Sequence, residues 1–179
     1  MINIKHNTLE VLVTNFCILK PISLKHVSHR YLAWLNDPDI NKFLETRFNE
    51  INISILKDYV ASQIKKGDIL FYAIHSLSDT HIGNIKLGPI NPNHMTADIG
   101  FFIGDKSYHR KGIASHAIIK LCEYGFSMGI KKITAGAYSS NLGSIKTLLK
   151  SGFNEEGFRR SQVISNGKRE GVSLFGLIP

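Results

Sequence analysis

A basic turn that contains glycine, from Gly104 to Ala114, is the segment of this sequence best suited to bind an anion. A strand pattern ends just before the turn and a helical pattern begins at Gly112, so the turn leads directly into a helix. The first amides of a helix have no partner within the helix and lie at the positive end of its dipole. Glycine at position 112 leaves no Cβ between the backbone and a ligand. Residue types and order therefore predict a phosphate-binding turn made of backbone amides, with a purely structural turn as the alternative.

The elements around this turn follow one another without a repeat, a low-complexity tract or a linker. The order predicted from hydrophobic periodicity is a strand, two helices, three antiparallel strands, a helix, a strand, a helix and a hairpin. The sequence thus predicts one domain over residues 1–179 with an α/β (α+β) fold, a mixed sheet of six to seven strands covered by helices. The predicted ranges are 13–22, 24–35, 53–66, 69–75, 82–87, 97–103, 112–127, 132–138, 141–150, 158–164 and 171–178.

The turn and a later segment together resemble the motifs of a known family. His109-Arg110-Lys111-Gly112-Ile113-Ala114 resembles the acyl-CoA-binding motif of the GNAT N-acetyltransferase superfamily: Gln or Arg, two residues, Gly, one residue, then Gly or Ala. His109 stands where Gln or Arg is usual, which changes a side-chain contact and leaves the amide cradle in place. The segment 141–153 resembles the second motif of the family. Within the superfamily, the chain looks most like the branch of ribosomal-protein alanine N-acetyltransferases.

The resemblance implies that acetyl-CoA inserts its pantetheine arm between two diverging strands, residues 98–104 and 132–138. By the same resemblance, the end of the first strand contacts the pantetheine arm and the turn contacts the pyrophosphate. The second motif lies near the reactive end of the cofactor. Two alternatives stay open, namely that Asn141 is a simple helix N-cap and that Ser144 is a solvated serine. The cofactor-binding residues expected are Phe102, Ile103, Gly104, His109, Arg110, Lys111, Gly112, Ile113, Ala114, Ser115, Asn141 and Ser144.

Acetyl transfer to an amine needs a neutral nitrogen, a donor for the carbonyl oxygen and a proton for the leaving thiolate. Asp98 is the expected base, because some members of the superfamily carry a glutamate at the equivalent place on this strand; alternatively it is an exposed strand carboxylate. Many relatives place a tyrosine in the second-motif helix, where this chain has Leu148. Tyr138 and Ser144 are the expected substitute acids, and protonation by water is the alternative.

The segment from residue 36 to residue 48 mixes turn residues, aromatics and charges where the resemblance implies the acceptor pocket. We expect Glu45, Arg47 and Phe48 to contact the acceptor. The formal charge of +8 favours a phosphate-bearing acceptor and disfavours polycations. The prediction is therefore a small-molecule amine, with an amino-sugar nucleotide ahead of a protein N-terminus. A non-catalytic acyl-CoA-binding module stays open as a second class of function.

The composition is that of an ordinary globular domain, with 43% hydrophobic and 20% charged residues. No apolar run approaches the ~20 residues that span a bilayer, and no secretory signal is recognisable, so we expect a cytoplasmic protein without a membrane partner. The basic charge by itself suggests that the protein binds nucleic acid. The sequence contains no recognisable nucleic-acid-binding motif, so we do not expect nucleic acid as a partner. We expect both cysteines in the core and no metal site. The expected oligomeric state is a monomer or a homodimer.

Overall fold

Alternating apolar residues build one mixed sheet, which the computed structural model describes over residues 10–179. Within these residues the sheet has eight strands in the order β1-β2-β3-β4-β5-β6-β8-β7. All neighbouring strands are antiparallel except β5 and β6, which are parallel. The strands are β1 Leu12–Val13, β2 Ile18–Pro21, β3 Leu70–His75, β4 His81–Leu87, β5 Thr96–Ile103, β6 Lys132–Tyr138, β7 Asn154–Ser165 and β8 Lys168–Leu177.

Helices cover both faces of the sheet and divide the buried side chains into two clusters. One cluster joins the strands to Ile118 and Leu121 of α4, and the other joins them to Trp34 of α1 and Val60 of α3. The α-helices are α1 His29–Asn36, α2 Pro38–Asn41, α3 Ile53–Lys65, α4 Ile113–Ser127 and α5 Leu142–Lys150, and the 3-10 helices are Leu24–His26, Glu45–Phe48 and Lys106–Tyr108.

The parallel strands β5 and β6 stay together for only part of their length. They pair at Thr96↔Lys132, Ala97↔Ile133 and Asp98↔Thr134, and no further pairing between them follows in the described chain. Beyond Asp98, β5 continues beside β4 as far as Ile103, and β6 continues beside β8 as far as Tyr138. The two strands therefore diverge, and each presents one unpaired backbone edge to the gap between them. This confirms the splayed pair that the family resemblance implies.

The fold class and most element positions are confirmed, and the first 26 described residues differ from the prediction. The strand predicted over 13–22 is two strands, because the Thr14 hydroxyl accepts hydrogen bonds from the amides of Phe16 and Cys17 and turns the chain between them. The helix predicted over 24–35 is broken, since Ser28 begins a new helix by accepting a bond from the Tyr31 amide. The sheet consequently has one strand more than the upper limit predicted.

Two further observations bear on the predicted class of protein. Cys17 and Cys122 are both buried and unbridged, in agreement with core positions. Among residues 10–179, no helix combines the length and the apolar character that crossing a membrane requires.

Candidate active site

The turn before α4 exposes a run of backbone amides on one side of the chain. Arg110 and Gly112 have φ values of 59° and 77°, in the left-handed region, and Gly112 is the N-cap of α4. The amides of residues 110–115 donate to no other described residue, and the first amide of the helix with a partner is that of His116, which donates to the Gly112 carbonyl at 3.2 Å. Successive unpartnered amides in such a turn form a concave anion site at the positive end of the helix. The geometry fits the pyrophosphate of a nucleotide-bearing cofactor.

Side chains fix this turn without covering its amides. The Ser115 hydroxyl and the His116 imidazole both contact the Gly112 carbonyl oxygen at 2.9 Å. A Cβ at position 112 would lie 3.7 Å from the His116 ring and 4.0 Å from the Lys150 ammonium. Gly112 thus opens towards a space bordered by a cation, which favours an anionic ligand.

His109 joins the turn to the end of β5. Its Nε2 atom lies 2.9 Å from the Ile103 carbonyl oxygen, so the imidazole donates to the strand end. Gly104, the next residue, packs directly beneath the Trp34 indole, where a Cβ would clash with the ring. The residue that departs from the family pattern therefore has a structural role, which is to hold the strand end beside the cradle.

The backbone groups that face the gap between β5 and β6 belong to alternate residues. The Asp98 carbonyl accepts from Gly88, and the Gly104 amide donates to Ile82, so the even-numbered residues of this stretch direct their backbone groups towards β4. The expectation that Phe102 and Gly104 pair with pantetheine through their backbones is wrong for this reason. The backbone of Ile103 does face the gap, although its carbonyl already accepts from His109, and its contact with pantetheine stays a prediction.

Ile99 and Phe101 are the gap-facing residues that the prediction missed. Both lie on β5 beyond its last pair with β6, so their backbone groups border the gap. The alternation of a β-strand could have revealed them, once the neighbour on each side of β5 was known.

Tyr138, at the end of β6, meets Glu45 and Arg47 from the 3-10 helix 45–48. The Tyr138 hydroxyl donates to Glu45 Oε1 at 2.7 Å and accepts from Arg47 Nη2 at 2.8 Å. Burial raises the pKa of Tyr138, and the hydrogen bond to Glu45 raises it further, so the phenol is protonated at neutral pH. The cluster of Glu45, Arg47 and Tyr138 can hold a proton at a fixed place beside the gap.

Arg47 and Phe48 also border a cavity on the outer side of the 3-10 helix 45–48. The Arg47 guanidinium donates to the carbonyls of Leu44 and Ile164 and lies 4.1 Å from the centre of the exposed Phe48 ring. Its donors are therefore largely occupied by protein groups. The cavity has a volume of ≈ 520 Å³ and is lined by Asn36, Pro38, Asn41, Lys42, Arg47, Phe48, Asn49, Ser165 and Asn166.

Asp98 lies at the point where β5 and β6 separate. It occupies the last pair between the two strands, and its carboxylate accepts a hydrogen bond from the Thr134 hydroxyl across that pair. The side chain is exposed and shares a face of β5 with Gly100 and Phe102, the face covered by α1 and α3. Both the catalytic and the structural interpretation of Asp98 are compatible with this position.

The second motif begins α5 at the end of β6. Asn141 Oδ1 accepts from the Ser144 amide at 3.2 Å, so Asn141 caps the helix, as its structural alternative predicts. Glu170 holds the preceding loop by accepting from Ser139 and Ser140. Leu148 is buried in the core, and its aliphatic side chain has no proton to donate. Ser144 is half-buried in the first turn.

Comparison with known proteins agrees with this geometry. The family description "Acetyltransferase (GNAT) domain" matches residues 17–154. The chain is 33% identical over 119 residues to a probable N-acetyltransferase of Bacillus subtilis, YjcK, a match that covers 65% of each protein. It is 27% identical to the N-acetyltransferase YoaA of the same organism, covering 94% of this chain and 96% of the relative.

Solved structures extend the agreement to the fold. The microcin C7 self-immunity acetyltransferase MccE, solved with acetyl-CoA and AMP, has a TM-score of 0.80 at 25% identity and covers 93% of this chain and 94% of its own. The ribosomal L7/L12 acetyltransferase RimL, solved with coenzyme A, has a TM-score of 0.85 at 19% identity, with coverages of 94% and 98%. The chain belongs to the GNAT acetyltransferase family and is an acyltransferase.

Replacing Gly112 with valine tests the cradle. A β-branched residue at a φ of 77° strains the turn and places methyl groups over the amides. With acetyl-CoA at about 100 times its Kd, the parent should gain about 2.7 kcal/mol in the free energy of unfolding, and Gly112→Val should gain almost none.

Gly129→Val is the matched control, because Gly129 follows the other end of α4 with a φ of 99°. It should lose intrinsic stability and keep the full ligand-induced gain. An equal gain in folded Gly112→Val would show that the pyrophosphate binds elsewhere.

Proposed function

We propose that this protein transfers the acetyl group of acetyl-CoA to the primary amine of an amino-sugar nucleotide. The observation that carries the acetyl-CoA part is the position of the unpartnered amides 110–115 directly beyond a strand whose edge is unpaired. An extended pantetheine arm carries amides that can pair with such an edge, and a pyrophosphate at its end suits the cradle. Acetyl-CoA, when bound, supplies the acetyl group as a reactive thioester.

Asp98 and Tyr138 are proposed to manage the protons of this reaction. The Asp98 carboxylate, held by Thr134, accepts the proton of the incoming amine directly or through water. The Tyr138 hydroxyl, fixed between Glu45 and Arg47, offers a proton to the departing sulfur. An amide on the gap-facing edge of β5, near Ile103, stabilises the developing negative charge on oxygen. Ser144 remains the alternative proton donor.

Two isosteric variants separate these roles. Asp98→Asn should lower kcat most at low pH, where more of the amine is protonated, and Tyr138→Phe should lower kcat by about tenfold or more near neutral pH. The measurement is the pH–rate profile of thiol release, with acetyl-CoA affinity measured in parallel and expected to stay unchanged. Profiles with the parental shape and height in both variants would remove both residues from the mechanism.

Charge and the outer cavity support a phosphate-bearing acceptor. The chain carries a formal charge of +8, and no carboxylate of residues 10–179 is within ion-pair distance of the Lys42 ammonium in that cavity. Asparagine side chains and the exposed Phe48 ring line the same cavity as this cation, a combination suited to phosphate, ribose and base. MccE, which was solved with AMP, shows that a protein of this fold accommodates a nucleotide besides acetyl-CoA.

The acceptor class is tested by kcat/KM for UDP- and dTDP-linked amino sugars against alanyl and seryl peptides and spermidine. Lys42→Gln should lower the value for nucleotide sugars by roughly three- to tenfold, with a weaker salt dependence. Lys120→Gln on α4 is the charge-matched control and should have no such effect. Arg47→Ala is less informative, since it also removes the partner of Tyr138. A preference for peptides or spermidine would contradict the proposed acceptor.

A further inference from the structure

A second cavity lies between the sheet and the helices α1 and α3. Its volume is ≈ 400 Å³, and most of its wall is aliphatic or aromatic. Its floor is formed by two paired strands, through residues 84–86 of β4 and 100–102 of β5. Asn84, Lys86, Gly100 and Phe102 share the face of the sheet that looks towards α1 and α3. The wall and roof residues are Tyr31, Leu35, Leu44, Glu45, Thr46, Ile51, Ile55, Leu56, Tyr59 and Phe71.

The cavity is next to the proposed site of chemistry. The strand that forms part of its floor, β5, is the same strand whose other edge faces the gap. Glu45, which binds the Tyr138 hydroxyl, also borders this cavity. An occupant of the cavity can therefore contact both the carboxylate that binds the proposed proton donor and the strand proposed to hold pantetheine.

Buried polar atoms without partners indicate that the cavity is built for a ligand. Asn84 is 2% exposed, and its Nδ2 has no hydrogen-bond partner among the described residues, whereas its Oδ1 lies 3.1 Å from His81 Nε2. Thr46 Oγ1 is likewise buried and unpartnered within that part of the chain. A buried donor left unpaired costs stability, so a ligand that supplies an acceptor atom here gains affinity.

Lys86 and Glu45 are the charged residues that line this mostly apolar space, and the Glu45 carboxylate already lies 3.7 Å from the Arg47 guanidinium. The Lys86 side chain lies across Gly100, and no carboxylate of residues 10–179 is within ion-pair distance of its ammonium. A cation beside the acceptor repels the protonated form of an amine more than the neutral form. The neutral form is the one that attacks a thioester.

We infer that this cavity receives the amine-bearing group of the acceptor, and that this group is a deoxygenated sugar ring rather than a fully hydroxylated one. A hydroxyl facing Leu35, Leu44 or Ile55 loses its water without gaining a partner, whereas a methyl group there gains apolar contact. One ring oxygen or remaining hydroxyl accepts from Asn84. The inference rests on the proposed function, since it defines the acceptor of the same site.

The first test compares two nucleotide sugars that differ by one hydroxyl. They are dTDP-4-amino-4,6-dideoxyglucose and dTDP-4-amino-4-deoxyglucose, assayed for kcat/KM by thiol release and for equilibrium binding to the complex with coenzyme A. We expect the dideoxy sugar to be preferred by roughly ten- to a hundredfold in both measurements, because the extra hydroxyl is desolvated in an apolar cavity. Equal values, or a preference for the hydroxylated sugar, would overturn the inference.

The second test fills the cavity. A Cβ at Gly100 would meet only the Lys86 side chain, at 3.9 Å, so Gly100→Leu can fold with its side chain in the cavity. This variant should raise the KM of the dideoxy sugar at least about tenfold and keep its acetyl-CoA-induced stabilisation. Gly157→Leu on β7, where a Cβ would meet only Leu174 at 3.8 Å, is the matched control and should behave as the parent.

The cavity assignment and the proposed function fail under different outcomes. Parental acceptor kinetics and binding in folded Gly100→Leu would overturn the cavity assignment while leaving acetyl transfer to a nucleotide sugar intact. Failure of every amine to release thiol, with acetyl-CoA bound, would contradict the proposed function instead. In that case, tighter binding of the dideoxy sugar that is lost in Gly100→Leu would still support the assignment of the cavity as its binding site. Equal binding of the two sugars would refute that assignment.

Discussion

The separation of β5 from β6 after Asp98 and Thr134 is the feature on which the rest of the site depends. A parallel pair that continued to the strand ends would satisfy every backbone group and would leave no edge for a ligand. Divergence leaves the gap-facing backbone groups of Ile99 and Phe101 unpaired, and unpaired buried peptide groups are costly unless something binds them. Surrounding contacts keep the gap open, because β4 pairs with residues 99–103 of β5 and β8 pairs with residues 133–138 of β6.

The same arrangement links the three parts of the site. The end of β5 passes directly into the turn that exposes the amides 110–115, and His109 ties the turn back to Ile103. The end of β6 carries Tyr138 to the 3-10 helix 45–48, where Glu45 and Arg47 fix its hydroxyl. Cofactor binding and proton transfer are thus proposed for opposite sides of one gap. Glu45 and Thr46 of the 3-10 helix line one cavity and Arg47 and Phe48 line the other, which suits an acceptor with an apolar amine-bearing end and an anionic end.

Much of the fold could be predicted from the sequence, since long periodic segments such as α3, α4 and β6 have strong local patterns. The cradle was also predictable, because it depends on local features, namely a glycine and a helix start. The pairing of strands across the sheet could not be predicted from local sequence patterns. Which backbone groups of β5 face the gap depends on the strands beside it, so Phe102 and Gly104 were assigned wrongly and Ile99 and Phe101 were missed. The contact of Glu45 with Tyr138 spans 93 positions and carries no local signal.

The most direct measurement of the central claim is amide hydrogen exchange in the presence and absence of acetyl-CoA. The account predicts that bound acetyl-CoA slows exchange in two separate places, the gap-facing amides of residues 99–103 and the unpartnered amides of residues 110–115. Amides on the outer strands β1 and β7 should exchange at unchanged rates. Slowed exchange in the turn without any change along residues 99–103 would contradict a cofactor arm in the gap. Protection confined to other elements would contradict the whole site.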